Sequence, residues 1–292
     1  MFLFLLLHKR LYDMKAHSVL LALFLLIGYT INIVAQVDRN LRFTHLTNDN
    51  GLPTNTIYSL CQDFKGFIWI ATANGLCKYD GRSISVYEVE PTKGERKKGG
   101  IIRHVFEDKR HRLWVITHKG VNLYNRNKDN FNFVSVDSLN NFSRVIYQDD
   151  KGKIYMGGSG AFIYNEQTSK FDPFYVNQDE TITAFITAIT SDQKGQMWFG
   201  RMYGGLICAD VENGKLTRYK HNDHNINSLI SNKVTSLFTD HHGRIWIGTE
   251  DKGICYFDSS TNKFIRIEGF PQICVRTFAE DAEGNIWIGS EN

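Results

Sequence analysis

The chain has 292 residues, enough for one large domain or two small ones, and a formal net charge of +3, too small to point to nucleic acid as a partner. Gly is frequent (24), Pro is scarce (4) and aromatics reach 13%, a composition suited to many short strands joined by tight turns. The basic run Lys93 to Lys98 contains Glu95 and reads as a solvated loop.

The N-terminus reads as a targeting segment. From Met14 a basic stretch (Lys15, His17) precedes an apolar run that closes on the small residue Ala35, the layout of a secretory signal. Residues 1–35 are therefore expected to be a signal peptide, with Met14 the better start, and 36–292 the exported part. An uncleaved anchor is the alternative, but the apolar run is short for a span and Thr30 and Asn32 interrupt it. Cys61, Cys77, Cys208, Cys255 and Cys274 remain in that part, an odd set that does not describe a disulfide framework. Cys77, Cys208 and Cys255 fall at related strand positions and read as buried small apolar residues.

The segment from Leu41 to Leu46 has the look of an outer strand that would complete the last unit of a closed ring. After it a phrase recurs: Asp-x-x-Gly, then a run centred on Trp. It stands at Asp63 with Trp69, Asp108 with Trp114, Asp149 with Tyr155, Asp192 with Trp198, Asp240 with Trp246 and Asp281 with Trp287. The aromatic steps are 45, 41, 43, 48 and 41 residues. Each copy resolves into an apolar strand, the Asp-x-x-Gly hairpin, the Trp strand, a Gly-containing turn, a third strand and a polar turn into a fourth. The fourth strand of the third copy is expected over Phe171 to Val176. A four-stranded meander at this period is a propeller blade. The expected fold is all-β: a β-propeller of about five complete four-stranded blades and a partial sixth, from a ring expected to have seven. Trp287 lies five residues before Asn292, so the domain reads as C-terminally incomplete. The Trp positions are expected to be inter-blade core.

The run from Leu46 to Thr72, with Asn50-Gly-Leu-Pro ahead of the first repeat, and the run from Ser228 to Thr249 resemble the periplasmic repeats of hybrid two-component sensors, the two-component-regulator propeller family. The resemblance covers about 41–292. It implies a periplasmic, ligand-sensing domain tethered to the inner membrane in a longer sensor, a homodimer in that full-length protein. It further implies an oligosaccharide ligand and polysaccharide-utilisation genes as the target, reached through a histidine kinase that this chain does not contain. The repeats depart from the pattern at His111 (for Gly), Tyr155 (for Trp) and Arg201 (for Thr). The first two read as drift; Arg201, on a loop, is a candidate for function.

Within each repeat the residue five before the hairpin Asp is Tyr58, Arg103, Arg144, Thr187, Thr235 or Arg276. In a propeller the first strand lines the central channel, so these side chains are placed to ring its mouth. Three Arg there suit a carboxylate or sulfate, and Tyr58 or Tyr203 can stack on a sugar. The candidate ligand residues are thus Tyr58, Arg103, Arg144, Arg201, Tyr203 and Arg276, near the variable loops 90–100, 177–183, 201–205 and 220–233. The alternative is that the Arg cap sheet edges or pair with acids in adjacent blades. The apolar positions do not keep a strict period of two, so a bulge is expected and the facing of the set stays open. His221-x-x-His224 and His241-His242 read as solvated loop residues, and Asp49-Asn-Gly51 lacks the spacing of a calcium loop. No metal, cofactor or catalytic residue is expected, because the recurring Asp belong to hairpins. A propeller lyase or glycosidase, and a non-catalytic interaction scaffold, are the alternatives to a sensor.

Overall fold

The computed structural model describes residues 45–291 except 90–99, 118, 137–142, 178–179 and 183–184. The signal segment, residues 41–44 and most of the loop expected at 90–100 lie outside the described residues. Blade 1 is β1 (Ile57–Gln62), β2 (Ile68–Thr72), β3 (Gly75–Tyr79) and β4 (Ile84–Tyr87). Blade 2 is β5 (Ile102–Glu107), β6 (Leu113–Thr117), β7 (Val121–Asn125) and β8 (Asn130–Val134). Blade 3 is β9 (Ser143–Gln148), β10 (Ile154–Gly158), β11 (Ala161–Asn165) and β12 (Lys170–Pro173). A two-stranded ribbon follows, β13 (Tyr175–Asn177) with β14 (Glu180–Thr181). Blade 4 is β15 (Ile186–Ser191), β16 (Met197–Arg201), β17 (Gly205–Asp210) and β18 (Lys215–Tyr219). Blade 5 is β19 (Val234–Thr239), β20 (Ile245–Thr249), β21 (Ile254–Asp258) and β22 (Lys263–Arg266). Blade 6 contributes β23 (Val275–Glu280) and β24 (Ile286–Ser290). Each complete sheet is an antiparallel meander in sequence order, and the first strand of each blade lies beside the first strand of the next. The expected all-β propeller, with five complete blades and a partial sixth, is what the chain forms.

The recurring phrase is a fastening between turn and core. Each hairpin Asp uses Oδ1 to accept backbone N–H groups inside its own turn, as Asp63 does from Lys65 and Phe67. Its Oδ2 accepts the indole N–H six residues on, at 2.8–3.1 Å, in the pairs Asp63–Trp69, Asp108–Trp114, Asp192–Trp198, Asp240–Trp246 and Asp281–Trp287. In blade 3 the Tyr155 hydroxyl donates to Asp149 instead, at 3.2 Å. A buried indole N–H needs an acceptor and a buried carboxylate needs donors, so each satisfies the other. The turn itself needs a left-handed residue: His111 adopts φ 62 where the other hairpins have Gly.

The second strands are apolar on both faces because both are covered. β6, β10 and β20 are buried at all five positions. Each large aromatic packs onto the third strand of the following blade: Trp69 on Tyr124 at 5.0 Å, Trp114 on Tyr164 at 4.9 Å, Trp198 on Phe257 at 4.9 Å between centroids. Between blades 3 and 4 the pattern breaks at two places. Tyr155 replaces Trp and Ala209 stands where the neighbouring blades have an aromatic; Phe174 moves in and touches both Tyr155 and Phe199. Tyr155 is therefore part of a compensated exchange of volume rather than drift. Cys77, Cys208 and Cys255 are buried and free, as expected, and burial pushes all three thiols up, Cys77 to about 11.

Two expectations need correction. The fourth strand of blade 3 stops short of Val176: β12 ends at Pro173, and the ribbon β13–β14 follows in the segment expected to be loop. Phe174 still donates its N–H to the Ala161 carbonyl at 2.9 Å, and its side chain is buried in the core between blades 3 and 4. Trp287 is not core: it is 48% exposed, with only β23 beside its strand among the described residues, though Asp281 still holds its indole.

Candidate functional site

All six positions five before the hairpin Asp are bulges. In the β1–β2 ladder pairing runs from Ile57 to Ser59 and leaves Tyr58 unopposed; the same skip isolates Arg103, Arg144, Thr187, Thr235 and Arg276. A bulge re-aims one side chain and shifts the pairing register by one residue across it. The expected loss of the two-residue period thus has its physical cause at the very residues in question.

The six do not act alike. Thr187 and Thr235 are buried, and their hydroxyls donate to the backbone carbonyls of Val234 and Val275, the first inner-strand residues of the next blade. They stitch blade 4 to 5 and blade 5 to 6. Arg103, Arg144 and Arg276 stay together electrostatically: burial, then repulsion from Arg276 and Arg103, pushes the Arg144 guanidinium below its usual range. The Arg103 guanidinium lies 5.6 Å from the Tyr58 ring centroid, and that of Arg144 lies 5.9 Å from the ring of Phe185. Arg276 pairs with an acid, but of its own blade and not an adjacent one: its Nε donates to Glu291 at 2.8 Å. Glu250 and Cys274 border the same space.

Arg201 and Tyr203 sit elsewhere. At the end of the second strand in blades 1, 2 and 5, Thr72, Thr117 and Thr249 accept a turn N–H and donate to a turn carbonyl. Arg201 holds the equivalent place and reaches over its own turn to the carbonyl of Gly204. It caps a turn by other means, and no described contact brings it to the Arg103–Arg144–Arg276 set. Tyr203, at the tip of that turn, is 78% exposed. Phe185 was missed by sequence reasoning; it stands two residues before the bulge, a place that also holds Cys274, and the signal was an aromatic just ahead of a strand.

His221 departs from the solvated expectation. It is half-buried, with Nδ1 2.7 Å from the Leu229 carbonyl and Nε2 2.9 Å from Asp223. His224, His241 and His242 are exposed. Asn48–Asn50 forms one 3-10 turn closed by Gly51 at φ 100. Among the described residues no cluster of three or more His, Cys, Asp or Glu is placed to hold a metal ion, and no helix is long and apolar enough to cross a membrane.

Blades of this kind around an axis lined by their first strands define a β-propeller. A family model described as two component regulator propeller matches residues 51–74, 228–251 and 269–292, within the repeats of blades 1, 5 and 6. The extracellular domain of the hybrid two-component system BT3049 from B. thetaiotaomicron is similar in structure, with TM-score 0.71 and 22% identity over 85% of this chain and 34% of that one. That of the hybrid system BT4673 from the same organism gives 0.65 and 20%, over 85% and 36%. Virginiamycin B lyase from Staphylococcus aureus gives 0.63 and 15%, over 85% and 80%. The chain thus spans about a third of the length of the two sensor domains it matches. No curated protein matches it in sequence.

Proposed function

We propose that this chain is periplasmic and forms part of the ligand-sensing region of a two-component sensor, and that the channel mouth binds an acidic oligosaccharide. The observation that carries the reading is that equivalent bulges of three different blades present Arg103, Arg144 and Arg276, with the ring of Tyr58 beside Arg103 and that of Phe185 beside Arg144. Guanidinium forks recognise carboxylate and sulfate, and exposed rings offer a face to sugar. The family repeats and the likeness to sensor ectodomains support the sensing role. In the full-length protein the signal passes to a membrane-tethered kinase, which regulates polysaccharide-utilisation genes, and the receptor is a homodimer.

The test is calorimetry with an oligogalacturonate on the full chain and on Arg103→Ala/Arg276→Ala. We expect the double variant to lose about tenfold or more in affinity with its melting temperature nearly unchanged, because the exposed Arg276–Glu291 pair contributes little. Equal binding by the two proteins would remove the site from the channel mouth.

A further inference from the structure

A cleft of about 330 Å³ opens at blade 5. The loop from blade 4 supplies His221 and Asp223, the β20–β21 turn supplies Lys252, and the end of β22 supplies Arg266. Ile254, Ile267 and Phe270 give it an apolar wall.

Its polar groups are unevenly committed. The carboxylate in the lining, Asp223, is engaged by His221. Both ring nitrogens of His221 have partners, so the imidazole is a fixed wall. Lys252 has a long contact, 3.4 Å, from Nζ to Gln272 Oε1. Arg266 has its Nε sealed from solvent with no hydrogen-bond acceptor among the described residues. A donor sealed without an acceptor leaves the guanidinium short of a hydrogen bond, and the part of Arg266 that lines the cleft is what an incoming oxyanion meets. Two permanent cations face one spent carboxylate, beside an apolar wall that fits the face of a ring. A concave site with a few convergent polar groups and apolar walls is the ordinary build of a small-molecule pocket.

We infer that the blade 5 cleft is a second binding site, taking an oxyanion carried on a ring, a carboxylated or sulfated sugar unit, with Arg266 and Lys252 as its anion receptors. The cleft shares no lining residue with the Arg103–Arg144–Arg276 set. No described residue holds the Arg266 guanidinium by a hydrogen bond, so it is available to align with either oxyanion.

Calorimetry on the full Arg103→Ala/Arg276→Ala chain separates the two sites. Sodium glucuronate, sodium sulfate and glucose are the probes. We expect glucuronate to bind at one site, glucose not to bind, and sulfate to compete with glucuronate if the oxyanion alone suffices. Adding Arg266→Gln should weaken glucuronate about tenfold, and Lys252→Glu, on an exposed residue, should weaken it comparably. Failure of glucuronate to bind in that background, or unchanged affinity in Arg266→Gln, overturns the inference. Should Arg266→Gln not fold, Lys252→Glu decides by the same criterion. Loss of binding on Arg103→Ala/Arg276→Ala alone would assign the anion to the channel mouth and equally overturn it.

Discussion

The hairpin carboxylates carry more than their turns. Asp192 accepts the amides of Lys194 and Gln196 at 2.9 Å and the Trp198 indole at 3.1 Å. Asp192→Ala leaves three donors unanswered, and chemical denaturation should show a loss of about 3 kcal/mol. Asp63 and Asp240 sit lower than a free Asp: burial opposes this, but the bonds from Trp69 and Arg126, and from Trp246 and Arg244, outweigh it. Depressed folded-state values mean stability that is present above the unfolded value and lost as pH falls below about 4. His104 acts in a higher window. Its Nδ1 accepts the Ile146 N–H across the blade interface, and burial pushes it down to about 4. Above about 6.5 both states are neutral and nothing is lost; between about 6.5 and 4 the unfolded chain takes up a proton that the folded chain refuses. Melting followed across that range should decline by up to about 3 kcal/mol, and His104→Gln should flatten the decline. A wild-type curve flat from pH 7 to 4 would contradict this. At this scale the sequence was only partly legible. Asp read as a turn residue and Trp as core, while the constant spacing of six that joins them passed unused.

Along the strands, the glycine two residues after the aromatic in blades 3, 4 and 5 is set by the neighbouring blade. A Cβ on Gly200 would meet Val234 Cγ1 at 2.6 Å, and one on Gly157 would meet Ile186 Cγ2 at 2.5 Å. Gly200→Val should therefore cost about 2 kcal/mol by overpacking, read as a fall in melting temperature. Blade 2 inverts the sizes: Ile116 takes the glycine position, and the next blade has Ser143 where blade 4 has Ile186. The four-strand meander, its hairpins and the bulges were readable because each follows from period, turn chemistry and a broken alternation. The direction of each bulged side chain was not. An unpaired residue is released from the two-residue rule, so only its partners decide whether it meets a ring, as Arg144 meets Phe185, or a carbonyl of the next blade, as with Thr187.

Blades are also fastened to one another around the hairpin end of the molecule. In blades 2, 3 and 6 the residue before the hairpin Asp caps the previous turn: Glu107 accepts the Phe64 amide at 2.7 Å, Gln148 that of Lys109 at 2.8 Å, Glu280 that of His241 at 3.0 Å. Arg126 adds a bridge from blade 2 to Asp63 of blade 1 at 3.0 Å. The candidate ligand groups lie at the opposite end, where bulges and crossings meet, so binding there should leave the hairpin fastenings intact. Affinity for an acidic glycan at the channel mouth should fall as salt rises from 0.05 to about 0.5 M, since the receptors are cations partly open to solvent; a salt-independent affinity would argue for an apolar contact instead. The bulges carry one further consequence. A side chain standing outside the ladder can be exchanged without asking the sheet to re-pair, so what such a receptor recognises is free to change over generations while the framework that presents it stays as it was.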